Sequence, residues 1–186
     1  MRKLIYAINF TLDGCFDHTK MIVDEEILEY YTNIVREADL TVYGRKTYQL
    51  MVPYWPDIAQ NPSGETKADV DFAQAFDSMN RVVFSRSLES TDGRTRIVRA
   101  NLKDEILKLK QEPGKNILTG GVALPSQLIE LGLVDEFRFV VVPVIAGAGE
   151  GSWLMEGISL QEKLRLKLVE SKIFKSGCVA LRYLKP

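Results

Sequence analysis

Histidine is almost missing from this chain: His18 is the single one among 186 residues. A metal centre built on histidines is therefore excluded. Cysteine is nearly as scarce. Cys15 and Cys178 lie far apart, with neither metal-ligand spacing nor the density of a disulfide framework, so the chain reads as a reduced, cytoplasmic protein without a metal. No apolar run is long enough to cross a membrane, and the stretch from Met1 to Ile8 is too short for a signal peptide. Neither charge sign dominates: 24 Lys and Arg against 25 Asp and Glu leave a net charge of −1, which argues against a nucleic-acid partner. There is no repeat and no low-complexity tract. What remains is a 46% apolar chain of ordinary globular composition, read as one domain over residues 1–186 with a sizeable core.

Strand and helix signals alternate. Lys3 to Phe10 reads as a strand closed by the turn Thr11-Leu12-Asp13-Gly14. Asp24 is placed to cap a helix reaching about Glu37, with Ile27, Tyr31, Ile34, Val35 and Ala38 on one face. A second strand, Leu40 to Tyr43, runs into Gly44 and a short helix from Arg45 to Val52, ended by Pro53-Tyr54-Trp55-Pro56. Residues 57–68 read as a long polar loop, a candidate lid or a surface insertion. A brief helix, Asp69 to Asp77, precedes the strand Arg81 to Phe84. Next come a short strand, Arg96 to Arg99, and a helical stripe of Leu102, Ile106 and Leu109. The strand Asn116 to Thr119 leads through Gly120-Gly121 to a helix over Leu124 to Leu131. Asp135 to Val142 is a further strand. Alternation in Leu164 to Leu168 and in Val179 to Tyr183, with the turn Lys175-Ser176-Gly177 before the second run, gives a C-terminal antiparallel hairpin. The fold expected is three-layer α/β/α, with a mixed, mostly parallel central sheet.

Three strand ends carry the functional signal. The first runs into Gly44, Arg45, Lys46 and Thr47, the second into Ser85 and Arg86, and the third into Gly120 and Gly121. Open α/β sheets bind ligands at the carboxyl ends of their strands, and helix N-termini offer unpaired N–H groups to phosphates. Together the three junctions read as one dinucleotide site, and two arginines beside it point to the extra phosphate of NADP. Each junction alone is equally well a packing turn or a solvated loop. The run Gly147 to Gly151 is not read as a dinucleotide fingerprint, because Pro143 precedes it and too little of a βαβ unit follows.

Four stretches, in order along the chain, resemble the dihydrofolate reductase-like superfamily. They are Phe10 to Gly14; Tyr43 to Tyr48; Thr119-Gly120-Gly121 with Leu131 to Glu136; and Pro143 to Gly149. The branch most similar is that of the C-terminal reductase domain of bifunctional riboflavin-biosynthesis proteins. The resemblance implies a reductase using NADPH, commonly a homodimer. It assigns Gly44, Arg45, Lys46 and Thr47 to the pyrophosphate and adenosine side. Ser85 and Arg86 fall by the adenosine ribose, with Arg45 and Arg86 toward the 2′-phosphate. Gly120 and Gly121 fall beside the nicotinamide, a pair that often carries a cis peptide in the family.

Hydride transfer to a C=N or C=O group needs a proton for the adjoining atom. Asp13 and Glu26 are the candidate catalytic acids, with Asp24, Glu25 or water as substitutes. Asp13 equally suits a turn, and Glu26 equally suits a helix first turn. Tyr30, Tyr48, Met51 and Trp55 are candidate walls of a pocket for a planar substrate, or ordinary core. Trp55 is also a candidate dimer contact, and His18 reads as a surface residue.

Four functions remain open. One is an NADPH-dependent reductase of a small pteridine- or pyrimidine-like heterocycle. Another is the riboflavin-pathway step itself, from ribosylamino- to ribitylamino-pyrimidine phosphate; these residues carry no zinc deaminase signature. The third is dihydrofolate reduction, from which Leu124 departs. The fourth is a non-catalytic NADP-binding protein.

Overall fold

The computed structural model describes residues 1–89, 91–147, 153–154 and 158–186. Its contacts divide the chain into two compact units. The first holds Met1–Lys3 and Val23–Thr119, the second Leu4–Ile22 and Gly120–Pro186. The strands are mixed and mostly parallel, with helices between them and an antiparallel C-terminal pair, which is the fold class expected.

In the first unit four parallel strands lie in the order β4-β3-β2-β5: β2 is Ala38–Gly44, β3 Asn80–Phe84, β4 Thr95–Val98 and β5 Asn116–Thr119. The inner strands are apolar runs with few polar interruptions, because strands covered on both faces have no solvent side. Val42, Val83 and Ile117 are fully buried. The helices are α1 (Glu25–Arg36), α2 (Arg45–Gln60), α3 (Lys67–Asp77) and α4 (Leu102–Gln111). The Asp24 carboxylate accepts from Ile27 N at 2.9 Å, as its position before α1 predicts. Asn101 caps α4 through Lys103 N and Asp104 N.

Helix α2 differs from expectation. It passes through both Pro53 and Pro56 instead of ending there. Each proline removes one intrahelical hydrogen bond. Burial continues across them, through Tyr48, Val52 and Ile58, and the Trp55 ring lies 4.5 Å from that of Phe72 on α3. The expected loop over residues 57–68 shrinks accordingly to 61–66, too short for a lid. A capping box between Thr66 and Asp69 then starts α3 two residues early.

The amino end of this unit is a knot of polar contacts. Arg2 Nε donates to Lys115 O at 2.6 Å, and its guanidinium pairs with Asp39. Asp39 also accepts from Lys115 N at 2.9 Å. Gly114 threads this knot with φ +148°, and a Cβ there would sit 2.6 Å from Asp39 Oδ2.

The second unit is built on β1 (Leu4–Thr11), β6 (Glu136–Val142), β7 (Lys167–Ile173) and β8 (Val179–Leu184), in the order β1-β6-β8-β7, with helix α5 (Ala123–Glu130). β1 and β6 are parallel; β6-β8 and β8-β7 are antiparallel. Tyr6, Phe137 and Phe139 pack edge to face at centroid distances of 5.7–6.3 Å. Within β6 the fully buried Glu136 carboxylate faces two guanidiniums: Arg138, and Arg182 at 2.8 Å from β8. Hydrogen bonds from these arginines hold the carboxyl below the usual range, against the opposing effect of burial.

The hairpin's first strand also moves. Only Lys167 and Leu168 of the alternating run Leu164 to Leu168 belong to β7, and every β7 residue is exposed. An edge strand with no covered face has no reason to place apolar residues at alternate positions, so its sequence carries no usable register. A single 3₁₀ turn, His18–Lys20, leaves His18 exposed. Among the described residues there are no cis peptide bonds, so the Gly120–Gly121 bond is trans.

Two destabilising substitutions test these arrangements. Gly114→Ala is expected to cost roughly 2 kcal/mol, read as a lower urea midpoint at unchanged slope, because the knot cannot yield to a Cβ. Glu136→Gln is expected to cost about 3–5 kcal/mol, by leaving two arginines around a neutral group. A urea midpoint equal to wild type in either variant refutes the corresponding account.

Candidate active site

Parallel register decides which chain ends meet. Gly44 pairs with Phe84, so the residues after β2 and β3, starting at Arg45 and Ser85, emerge side by side. Val42 pairs with Thr119 on the other flank, so β5 ends beside β2. The first unit thus presents three neighbouring carboxyl ends, and Gly120-Gly121 continues directly from the third into the second unit.

Helix α2 begins at Arg45 with Gly44 as its N-cap and has no side-chain cap; α5 begins at Ala123 after Val122 and also has none. The other three α-helices are all capped by a side chain, from Asp24, Thr66 and Asn101. The amides of α2's first turn therefore carry positive partial charge that no side chain neutralises. Arg45, Lys46 and Arg86 are exposed, and none has a hydrogen-bond or ion-pair partner among the described residues. Three free cations beside an uncapped helix suit a polyanion. Thr47 is half-buried one turn in. The Ser85 hydroxyl shapes its own loop, accepting from Leu88 N at 3.0 Å and Ser87 N at 3.3 Å. The buried Thr119 hydroxyl has no partner among the described residues, an uncommon condition that a ligand can relieve.

The four candidate pocket residues do not behave alike. Tyr48 is a core residue, 7% exposed, with its hydroxyl accepting from Asp92 N at 3.4 Å. The Trp55 indole packs between Tyr54 and Phe72 within the helical layer. Tyr48 is thus enclosed by the core, whereas the half-buried Trp55 keeps part of its surface open. Tyr30, in edge contact with Tyr31, and Met51 remain half-buried.

The two candidate acids also separate. Glu26 belongs to the first unit, half-buried in the first turn of α1. Asp13 belongs to the second, just past β1. It accepts from Thr11 Oγ1 at 2.5 Å, Ala146 N at 3.1 Å and Gly147 N at 2.9 Å. The Thr11 hydrogen bond, with those from the two amides, holds its carboxyl down at about 2. Such a group is ionised at neutral pH, with its oxygens already turned toward donors of its own chain.

Sequence reasoning missed Tyr6, hidden within an apolar strand. Its hydroxyl donates to Gly121 O at 2.9 Å and so fixes the glycine junction, where Gly121 adopts φ +77°. Burial pushes its phenol well above the ordinary value. The one signal available was a tyrosine in the apolar stretch Leu4 to Ile8. The turn Gly147 to Gly151 lies outside the described residues beyond Gly147.

Two open depressions, of about 440 and 450 Å³, lie at the opposite, amino ends of the first unit's strands. Their charged walls include the Arg2–Asp39 pair and Arg81, whose terminal nitrogens are tied to Asp77 and Asp92, so they are open grooves over ion pairs. Among the described residues there is no cluster of His, Cys, Asp or Glu able to hold a metal, and no helix long and apolar enough to cross a membrane.

Two uncharacterised proteins of Bacillus subtilis (strain 168) are similar over nearly their whole length. YyaP is 33% identical over 98% of this chain and 94% of its own, and YwjB is 27% identical over 89% and 90%. Among solved structures, a putative riboflavin biosynthesis protein from Shewanella sp. PV-4 superposes with a TM-score of 0.74 at 16% identity, covering 99% of both chains. RibD from Acinetobacter baumannii superposes with a TM-score of 0.65 at 17% identity, covering all of this chain and 58% of that one. A family model for the RibD C-terminal domain matches residues 2–180, and the chain belongs to that family.

Proposed function

We propose that this protein is an NADPH-dependent reductase of a small pyrimidine-like heterocycle. The observation that carries the reading is the uncapped start of α2 flanked by the unpaired cations Arg45, Lys46 and Arg86. A pyrimidine reductase-like protein from Corynebacterium diphtheriae shares the fold, with a TM-score of 0.66 at 16% identity over 98% of this chain and 91% of that one. Family membership supports a reductase, and the residues present fit a phosphorylated dinucleotide.

In this reading Gly44 keeps side-chain bulk away from the pyrophosphate, while the amides at Lys46 and Thr47 and the Lys46 ammonium bind its oxygens. Arg45 and Arg86 take the 2′-phosphate, and Ser85 holds the loop that carries Arg86. The family resemblance assigns Gly120 and Gly121 to the nicotinamide side, and within the second unit Tyr6 fixes the carbonyl of Gly121. When bound, the cofactor supplies a hydride. The chain contributes orientation and exclusion of water. With Asp13 ionised, the proton comes from Glu26 or from water. The protein is further proposed to be cytoplasmic and a homodimer. Its exposed edge strand β7 offers unpaired backbone groups, with Leu168 and Ile173 beside them, to a second copy.

The riboflavin-pathway step is the more specific form of the same reading, favoured by the family. Complementation of a riboflavin auxotroph tests it: growth supports that substrate, and failure with NADPH oxidation on other pyrimidines assigns a different one. Calorimetry tests the cofactor. NADPH is expected to bind, and no heat at near-millimolar cofactor refutes the proposal. Arg45→Ala and Arg86→Ala are each expected to weaken NADPH binding roughly tenfold while leaving NADH little changed. Equal losses for both nucleotides would place these arginines away from the 2′-phosphate. Equilibrium sedimentation is expected to give a dimer, and a monomer across the micromolar range refutes that part.

A further inference from the structure

The turn that ends β1 is closed on itself. Thr11 N donates to Cys15 O at 2.8 Å, Gly14 N to Thr11 O at 2.8 Å, and Cys15 N to Thr11 Oγ1 at 3.0 Å. These five residues then grip the chain beyond β6 in two separate places. On one limb Leu12 N donates to Val144 O at 2.9 Å, and the Asp13 carboxylate receives the amides of Ala146 and Gly147. On the other, Gly14 O accepts from Leu154 N at 2.7 Å, and Cys15 forms an antiparallel bridge with Trp153.

Within this clasp Asp13 supplies the charge. Oδ1 accepts from the Thr11 hydroxyl and Ala146 N, and Oδ2 from Gly147 N. Two successive amides aimed at one carboxylate form a concavity suited to an anion, made possible by φ +77° at Gly147. The Thr11 side chain is fully buried, and its hydroxyl lies nearer to Asp13 Oδ1, at 2.5 Å, than to its other acceptor, Cys15 O, at 3.3 Å. Protonating either oxygen would set a hydrogen against these donors. Hydrogen bonds alone account for the lowered carboxyl, with no charged neighbour among the causes.

We infer that Asp13 is a positioning residue whose carboxylate pins Ala146 and Gly147 to the carboxyl end of β1. The clasp stands on geometry alone; its consequence for turnover rests on the reductase reading, which puts the reacting end of the cofactor near that strand end. A displacement of about 1 Å there can cost roughly 10²-fold in rate.

Amide hydrogen exchange and steady-state kinetics on the full-length chain test this. In Asp13→Ala the amides of Ala146 and Gly147 are expected to exchange about tenfold faster or more, while those of Phe139 and Val140 in β6 keep their protection. Asp13→Asn, which keeps one acceptor oxygen, is expected to fall between. With NADPH and a ribosylamino-pyrimidine phosphate, Asp13→Ala is expected to lose turnover roughly 10²-fold while its pH–rate profile keeps the wild-type shape. Wild-type exchange at Ala146 and Gly147 in Asp13→Ala overturns the inference. So does loss of turnover in Asp13→Asn as complete as in Asp13→Ala, with exchange unchanged, which is the behaviour of an acid. If Asp13→Ala does not fold, exchange in Asp13→Asn decides alone. A wild-type protein that oxidises no NADPH refutes the reductase reading, and the exchange result still judges the clasp.

Discussion

Parallel pairing of β2 with β3 and β5 is the constraint on which the candidate site depends. A parallel ladder brings strand ends together only if registers agree, and here Gly44 meets Phe84 while Val42 meets Thr119. Because of that agreement, residues some forty and eighty positions apart in sequence emerge along one edge. A one-residue slip would also reverse which side chains face the core, so burial of Val42, Val83 and Leu118 fixes the register that the site needs.

Capping divides the helices by task. Where a helix only has to be stable, its first turn is satisfied by Asp24, Thr66 or Asn101. The helices that follow the glycine junctions forgo that contribution, about 1 kcal/mol per cap. The start of α2 leaves Arg45 and Lys46 unpaired, as the loop after β3 leaves Arg86, although most arginines elsewhere are tied to carboxylates or carbonyls: Arg2, Arg81, Arg94, Arg96, Arg138 and Arg182 all have partners. Unpaired positive charge gathered at one place is what the proposed function draws on. Asp13 shows the converse. It is an acid at a position that invites chemistry, yet its lone pairs are already occupied by its own chain.

Much of the fold was legible because local signals agreed with tertiary needs. Asp24 announced α1, the apolar run Asn116–Thr119 announced β5, and the glycines announced the junctions. Sequence failed where local rules were overridden. Pro53 and Pro56 should stop a helix, but burial of Val52 and Ile58 and the stacking of Trp55 on Phe72 carry α2 through them. The alternation at Leu164 to Leu168 misplaced β7, whose edge position leaves no buried face to read.

The sequence by itself determined the class of fold, the strand-to-helix junctions and the excess of cationic and glycine residues beside them, because each follows from neighbours a few positions apart. Only the tertiary structure decided which of those groups are free. Arg45, Lys46 and Arg86 stand without partners, whereas Tyr48, Trp55 and Asp13 are taken by packing or by hydrogen bonds to residues as much as 134 positions away. Whether a polar group is available for a ligand depends on every contact it has already made, and those contacts exist only once the chain has folded.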